Sequence, residues 1–268
     1  MDLCTDAYSM VESSNFVVSL DGDRVKIGFS AATRETSVSL AELLTALRSI
    51  TNSVVEAAVQ RETRAARTIS CKAGCGACCR QLVPITATEA RRIPELLSEL
   101  GAEHRQRVML RFEAARQRLQ EAGMWDRLES MVDLTSEERK ALSLEYFALG
   151  IACPFLEAES CSIHAERPLM CRQYLVTSPA SNCQNPTPES IARVALAASV
   201  HDAVRRLERR EMGRNRTELL STSVFRQPEE DPLIRTVGEW MRDLLVEARR
   251  HHEAASSIPP PRVTSNLD

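Results

Sequence analysis

Four of the chain's nine cysteines fall in the nonapeptide CKAGCGACC, at Cys71, Cys75, Cys78 and Cys79, and four more follow at Cys153, Cys161, Cys171 and Cys183. Two groups of four, divided by a long insertion, constrain the fold more than any other feature. Neither group has a counterpart elsewhere, so the two cysteine-bearing loops are expected to converge. Only Cys4 is left over. An even set of this kind points to disulfides or to metal, and the redox compartment decides between them. The opening segment MDLCTDAYSMVESSNF has no basic region followed by an apolar core, so no secretory signal is expected. No stretch approaches the roughly 18 uninterrupted apolar residues of a membrane span. The expectation is therefore a cytoplasmic protein that does not engage membrane, where reducing conditions favour thiolates held by metal.

A chain of 268 residues has ample material for a hydrophobic core and does not need disulfides to fold. A net charge of -3 argues against a nucleic-acid partner. Basic runs such as VRRLERREMGRNR are interleaved with Glu and read as a solvated helix face. Aromatic residues make up only 4%, too few for a base-stacking platform.

The periodicity predicts a mainly α protein: an irregular helical domain with cysteine-rich metal-binding loops and a small N-terminal β-hairpin. NFVVSLDGDRVKIGFS alternates about Asp21-Gly22, a hairpin signal. Helical spacing without Gly or Pro predicts a long helix from Ser39 to about Arg67. A capping box of Thr86 and Glu89 opens a helix ending at Gly101, a charged helix runs over 102–123, and Thr135 with Glu138 caps another. The segment 153–183, rich in Pro, Ser and Asn, reads as irregular loop. Two further helices are expected over 187–213 and 232–255, and a proline-rich disordered tail over 256–268. The expected organisation is an N-terminal segment over 1–36 and a helical domain over 37–255. Its metal-binding core spans about 70–185, with a helical insertion over about 100–150.

Thiolates bind zinc, iron and iron-sulfur clusters because sulfur is a soft, strong donor once deprotonated. Cys75 and Cys78 form a CxxC, and a helical or near-helical path would put Cys71, Cys75, Cys78 and Cys79 on one side. Gly74 and Gly76 would let the backbone pass close to an ion. Tetrahedral zinc and the common iron-sulfur clusters each take four ligands, so eight thiolates fit two closed sites or one larger cluster plus a second site. Adjacent Cys78 and Cys79 would suit a bridged pair of ions better than one ion. Against this stands the plain alternative that single cysteines are buried small hydrophobes, with Cys79 and Cys183 the weakest ligand candidates.

CKAGCGACC, followed by CPFLEAESCSIHAERPLMCRQY, resembles the YkgJ-type cysteine-cluster family, a zinc- or iron-chelating domain with a CxxxCxxCC group, a CPFL, a central Cys and an RPxxCR segment. The matching positions are Cys71, Cys75, Cys78 and Cys79; Cys153, Pro154, Phe155 and Leu156; Cys161; and Arg167, Pro168, Cys171 and Arg172. The resemblance covers about 70–185 and implies zinc, iron or an iron-sulfur cluster held by the cysteines. The pattern does not speak to the insertion, the hairpin or the C-terminal helices.

Around these positions, His164 is a candidate ligand or supporting donor, with an ordinary loop histidine as the plainer reading. Arg167 and Arg172 would offset thiolate charge, Pro154 and Pro168 fix loop shape, His251 and His252 read as solvent-facing, and nothing marks Glu145 or Tyr146 as catalytic. The leading expectation is a cytosolic metal-binding protein in which eight cysteines hold zinc or iron. One alternative is an iron-sulfur-dependent modification enzyme, since flagellin lysine N-methylase resembles this family in its cysteine cluster. The other is a zinc-stapled scaffold whose insertion docks a protein partner.

Overall fold

The computed structural model describes residues 13–20, 23–30, 34–187, 189–213, 217–226 and 233–256. Cys4, the Asp21-Gly22 turn and the proline-rich segment after Ser256 lie outside the described residues. The chain is mainly α with small two-stranded sheets, as its periodicity predicts. Strands β1 (Ser13–Leu20) and β2 (Asp23–Ser30) pair antiparallel with Leu20 opposite Asp23, which leaves two residues for the turn. Among the described residues, no helix is long and apolar enough to cross a membrane.

Strand β3 (Ser37–Ser39) leads into helix α1 (Leu44–Arg64). The helix stops three residues before the predicted end. Ala66 turns left-handed at φ 56° and Arg67 N donates to Glu62 O, closing the last turn as glycine usually does. Its buried stripe, Leu47, Val54 and Ala57, joins Leu40 and Leu43 against α7 (Val200–Met212) and α8 (Val237–Ser256) around Trp240. Strand β8 (Ile234–Thr236) precedes α8 and pairs with β3, and the Trp240 indole donates to Val38 O at 2.9 Å.

Strand β4 (Pro84–Ile85), paired with β7 (Glu218–Leu219), precedes α2 (Ala87–Glu99). The Thr86–Glu89 capping box is formed in both directions. Helices α3 (Ala102–Glu121), α4 (Trp125–Glu129) and α5 (Ser136–Ala148) make up the insertion, and the Thr135–Glu138 box caps α5. Its inner face forms two further cores, one around Phe112 and Phe155, the other around Leu119, Leu142 and Tyr146.

The helix predicted over 187–213 begins only at Val200, where the Ser199 hydroxyl accepts from Asp202 N. The residues before it run beside the segment that follows Cys171: Thr177 N donates to Ala192 O, Val194 N donates to Leu175 O, and Val176 bridges Arg193. Pairing with a distant strand outcompetes local helix propensity because it lets Ile191 pack on Val176 and Cys183. The segment 153–183 is also more ordered than a loop, with strands β5 (Leu156–Glu157) and β6 (Ser160–Cys161) and helix α6 (Leu169–Gln173).

Candidate metal centre

The first cysteine group does not lie on one helical face. Cys75 N donates to Lys72 O across a turn in which Gly74 has φ +79°, and only Ala77–Arg80 coils into a 3-10 turn. Glycine suits both breaks for different reasons. Position 74 is left-handed, whereas a Cβ at Gly76 would stand 2.6 Å from Glu159 Oε2 and 2.8 Å from Leu156 Cδ1. The first loop therefore touches the β5–β6 hairpin at Gly76, which is where the two halves of the cysteine pattern meet.

Backbone and side-chain bonds hold them there. Cys153 N donates to Cys79 O at 2.7 Å, Ser70 N donates to Val176 O, and Gln81 Nε2 reaches the Tyr174 hydroxyl. Arg80 donates to Gly76 O and forms a two-pronged pair with Glu159, at the tip of the hairpin. Arg111 from α3 donates to Pro154 O and Glu157, so the insertion braces the second half. The α6 helix that bears Cys171 is fixed at its start by Glu89, whose Oε1 accepts from Leu169 N at 2.6 Å while Oε2 accepts from Thr86 N at 2.9 Å. A second buried carboxylate, Glu208 of α7, accepts from Ala87 N, Thr88 N and the Thr88 hydroxyl. Nothing local in the sequence announces Glu89 as a cap for two helices, or Glu208 as a cap at all.

The fold thus carries both cysteine groups to one region, and all eight cysteines there are free thiols. Cys71 and Cys75 pack with Ala77, Val176 and Cys183, Cys153 and Cys161 pack on the Phe112–Phe155 core, and Cys78 is in hydrogen-bond contact with Cys79. Among the described residues, no three or more His, Cys, Asp or Glu side chains are drawn together as ligands around an ion. Side-chain movement has to complete any coordination sphere.

Their chemistry fits a soft cation. The Cys79 bond lowers Cys78 to about 7, and the same bond, with burial, raises Cys79. Burial pushes Cys153 up to about 12, aided by Cys161 and Cys78, and drives Cys171 well above the ordinary thiol range. Cys71, Cys161 and Cys183 are raised by burial first. Cys153 and Cys171 are each only partly covered. Such thiols stay protonated until a cation displaces the protons, after which they become strong donors.

Arg167 lies near Cys71, Cys78 and Cys161, and among the described residues no carboxylate pairs with it; its Nε is buried without a hydrogen-bond partner. Arg172 is buried and donates to neutral oxygens: Arg167 O, Ala165 O and Asn52 Oδ1. Two cations without carboxylate partners beside a ring of thiols suit a site that becomes anionic when metallated. His164 is exposed, and the positive charge of Arg167 lowers its pKa. Pro168 caps α6, and Pro154 supplies the carbonyl that Arg111 holds. Glu145 pairs with Arg127, and burial raises Tyr146 to about 12. The side chains of His251 and His252 lie outside the described residues. An open groove of about 450 Å³, lined by Arg80, Leu144, Phe147, Gln184, Asn185 and Thr187 among others, includes the chain neighbours of Cys79 and Cys183 but no cysteine.

Residues 70–189 match the model of the CxxCxxCC family, described as a "putative zinc- or iron-chelating domain". This stretch is similar to that domain. No curated protein and no solved structure matches the chain. The domain begins one residue before Cys71 and ends beyond Cys183, so it holds all eight clustered cysteines and the α3–α5 insertion between them. Bonds that steady this stretch come partly from outside it: Glu208 of α7 accepts from Thr88 N, and Ser199, the residue before α7, accepts from Gln173 Nε2.

Proposed function

We propose that the protein binds zinc or iron through Cys71, Cys75, Cys78, Cys79, Cys153, Cys161, Cys171 and Cys183. The observation that carries this reading is the convergence of the two distant cysteine groups, joined by the Cys153 N to Cys79 O bond and by the packing of Cys71 and Cys75 with Cys183, all as free thiols. A bound soft metal would supply a stable, negatively charged sulfur-ligated centre. With every position filled by sulfur, such a centre leaves none for a substrate water, which favours structural, transfer or sensing roles over hydrolysis. The protein's own part is to hold the thiols in reach of one another and place cations beside the thiolates.

A second reading, an iron-sulfur-dependent modification enzyme, is favoured by the groove, which adjoins Cys79 through Arg80 and Cys183 through Gln184. Metal and acid-labile sulfide content, measured on anaerobically purified protein, separates the two. Zinc without sulfide supports a metal-binding or stapled role, iron with sulfide in a coloured sample supports the enzyme, and absence of metal after reconstitution with both refutes the proposal.

A further inference from the structure

The hairpin that joins Cys153 to Cys161 closes on residues ill suited to its turn. Strands β5 and β6 pair Leu156 with Cys161 and Glu157 with Ser160, which leaves Ala158 and Glu159 as the two turn residues. Both are left-handed, at φ 46° and 58°, as a two-residue turn of this hand demands. Such positions ordinarily carry Gly, Asn or Asp, because other side chains are strained there. Among the described residues, Ala66 is the one other non-glycine with a positive φ. Glu159 is exposed, so burial in a core does not hold it in this conformation.

What engages Glu159 is Arg80. Its Oε1 accepts from Arg80 Nη2 at 2.6 Å and its Oε2 from Arg80 Nη1 at 3.1 Å, while the same Nη1 donates to Gly76 O at 2.9 Å. Arg80 ends the 3-10 turn that carries Cys78 and Cys79, and Gly76 follows Cys75. The pair therefore ties the hairpin tip to the stretch that bears three of the first four cysteines. At its base the hairpin is held separately, by the Cys153 N bond to Cys79 O. The tip contact rests on two side chains that are 33% and 52% exposed. An ion pair so exposed adds little to folding stability and does not by itself offset two left-handed residues.

Resting on the metal-binding reading above, we infer that Arg80 and Glu159 are positioning residues of the metal centre: a strained, solvent-reachable latch that holds the Cys153–Cys161 hairpin against the Cys75–Cys79 loop and slows the escape of a bound ion. With the latch closed, the tip lies so near Gly76 that a Cβ there would meet Glu159 Cα at 3.2 Å. With it open, the turn relaxes and the tip pivots about the Cys153–Cys79 bond, which widens the gap between the two cysteine segments while the Phe112–Phe155 core stays packed. Glutamate at 159 thus favours metal retention over stability, and the two properties should separate in variants.

The test uses the full-length chain, stripped of metal under reductant and reloaded anaerobically with Co²⁺, whose absorption reports sulfur coordination and whose loss to a chelator gives a rate. Glu159→Gly should bind as much Co²⁺ as wild type but release it about twofold to fivefold faster, the range that an exposed ion pair allows. The urea midpoint of the same variant, metal-free, should stay level or rise. Ala158→Gly eases the turn and keeps the pair, so it should raise the midpoint and leave release at the wild-type rate. Arg80→Glu and Glu159→Arg should each speed release, and the two together should release more slowly than either alone. Wild-type release by Glu159→Gly, a lowered midpoint accompanying its faster release, equal acceleration by Ala158→Gly, or a double variant no slower than the single ones would overturn the latch and leave metal binding standing. A wild-type chain that takes up no Co²⁺, Zn²⁺ or iron would overturn both.

Discussion

Replacing Glu89 with alanine should be among the most damaging single changes outside the cysteines. The carboxylate is 2% exposed and satisfies two buried amides on different elements, Thr86 N at 2.9 Å and Leu169 N at 2.6 Å. Each donor left without a partner costs about 1–3 kcal/mol, so Glu89→Ala should lower unfolding free energy by about 2–6 kcal/mol. That is a large share of the ~5–15 kcal/mol typical of a folded domain. The Thr86 hydroxyl still accepts from position 89 N, so part of the α2 cap survives. The α6 start has no such reserve, and α6 carries Cys171. Urea unfolding of metal-free protein under reductant, followed by helicity, gives the magnitude, and the chelator-release rate of the metallated form reports the effect on the centre. A loss below about 0.5 kcal/mol, with metal release unchanged, would refute the assignment of Glu89 as the clamp between α2 and α6.

The same carboxylate predicts a pH dependence. Burial alone would raise the Glu89 pKa, but nearby His201 and the Thr86 and Leu169 amides outweigh it and hold the group below its ordinary 4.5. A carboxylate depressed by folding stabilises above its unfolded pKa and loses that contribution as pH falls through the folded value. Wild-type stability should therefore fall as pH drops below about 4.5, and Glu89→Gln, measured by the same unfolding assay, should fall less steeply; parallel curves would contradict this. Gly76→Ala should swing the Glu159 carboxylate and the Leu156 side chain aside, shift the hairpin tip by a few tenths of an ångström and weaken the Arg80–Glu159 pair, with a chelator-release rate above wild type, whereas wild-type release would show that the close approach is dispensable. Thr135→Ala removes an exposed cap remote from the thiols, so it should cost about 1 kcal/mol in urea unfolding and leave metal content unchanged.

Local signals were readable in the sequence, and non-local ones were not. Both capping boxes formed because their donors and acceptors lie three residues apart, and the hairpin register follows from a two-residue turn. The helix over 187–199 was misread because Ala192 and Val194 find backbone partners at Thr177 and Leu175, a pairing with no trace in helical periodicity. Cys183 looked like a weak ligand candidate by spacing, since it belongs to no CxxC; the fold puts it beside Cys71 and Cys75, across the strand-like segment at Val176. The near-helical path expected for Cys71–Cys79 gave way to a turn at Gly74, and only Ala77–Arg80 coils. Glu89 was visible as a capping residue, but its bond to Leu169, eighty residues on, depends on tertiary packing alone.

The claim that the clustered cysteines hold metal is tested most directly by X-ray absorption at the zinc and iron edges of anaerobically purified full-length protein. The account predicts a first shell made of sulfur alone, at about 2.3 Å for zinc. A shell dominated by nitrogen or oxygen, or protein that carries neither metal and presents all eight thiols to a thiol reagent even after reconstitution, would contradict it.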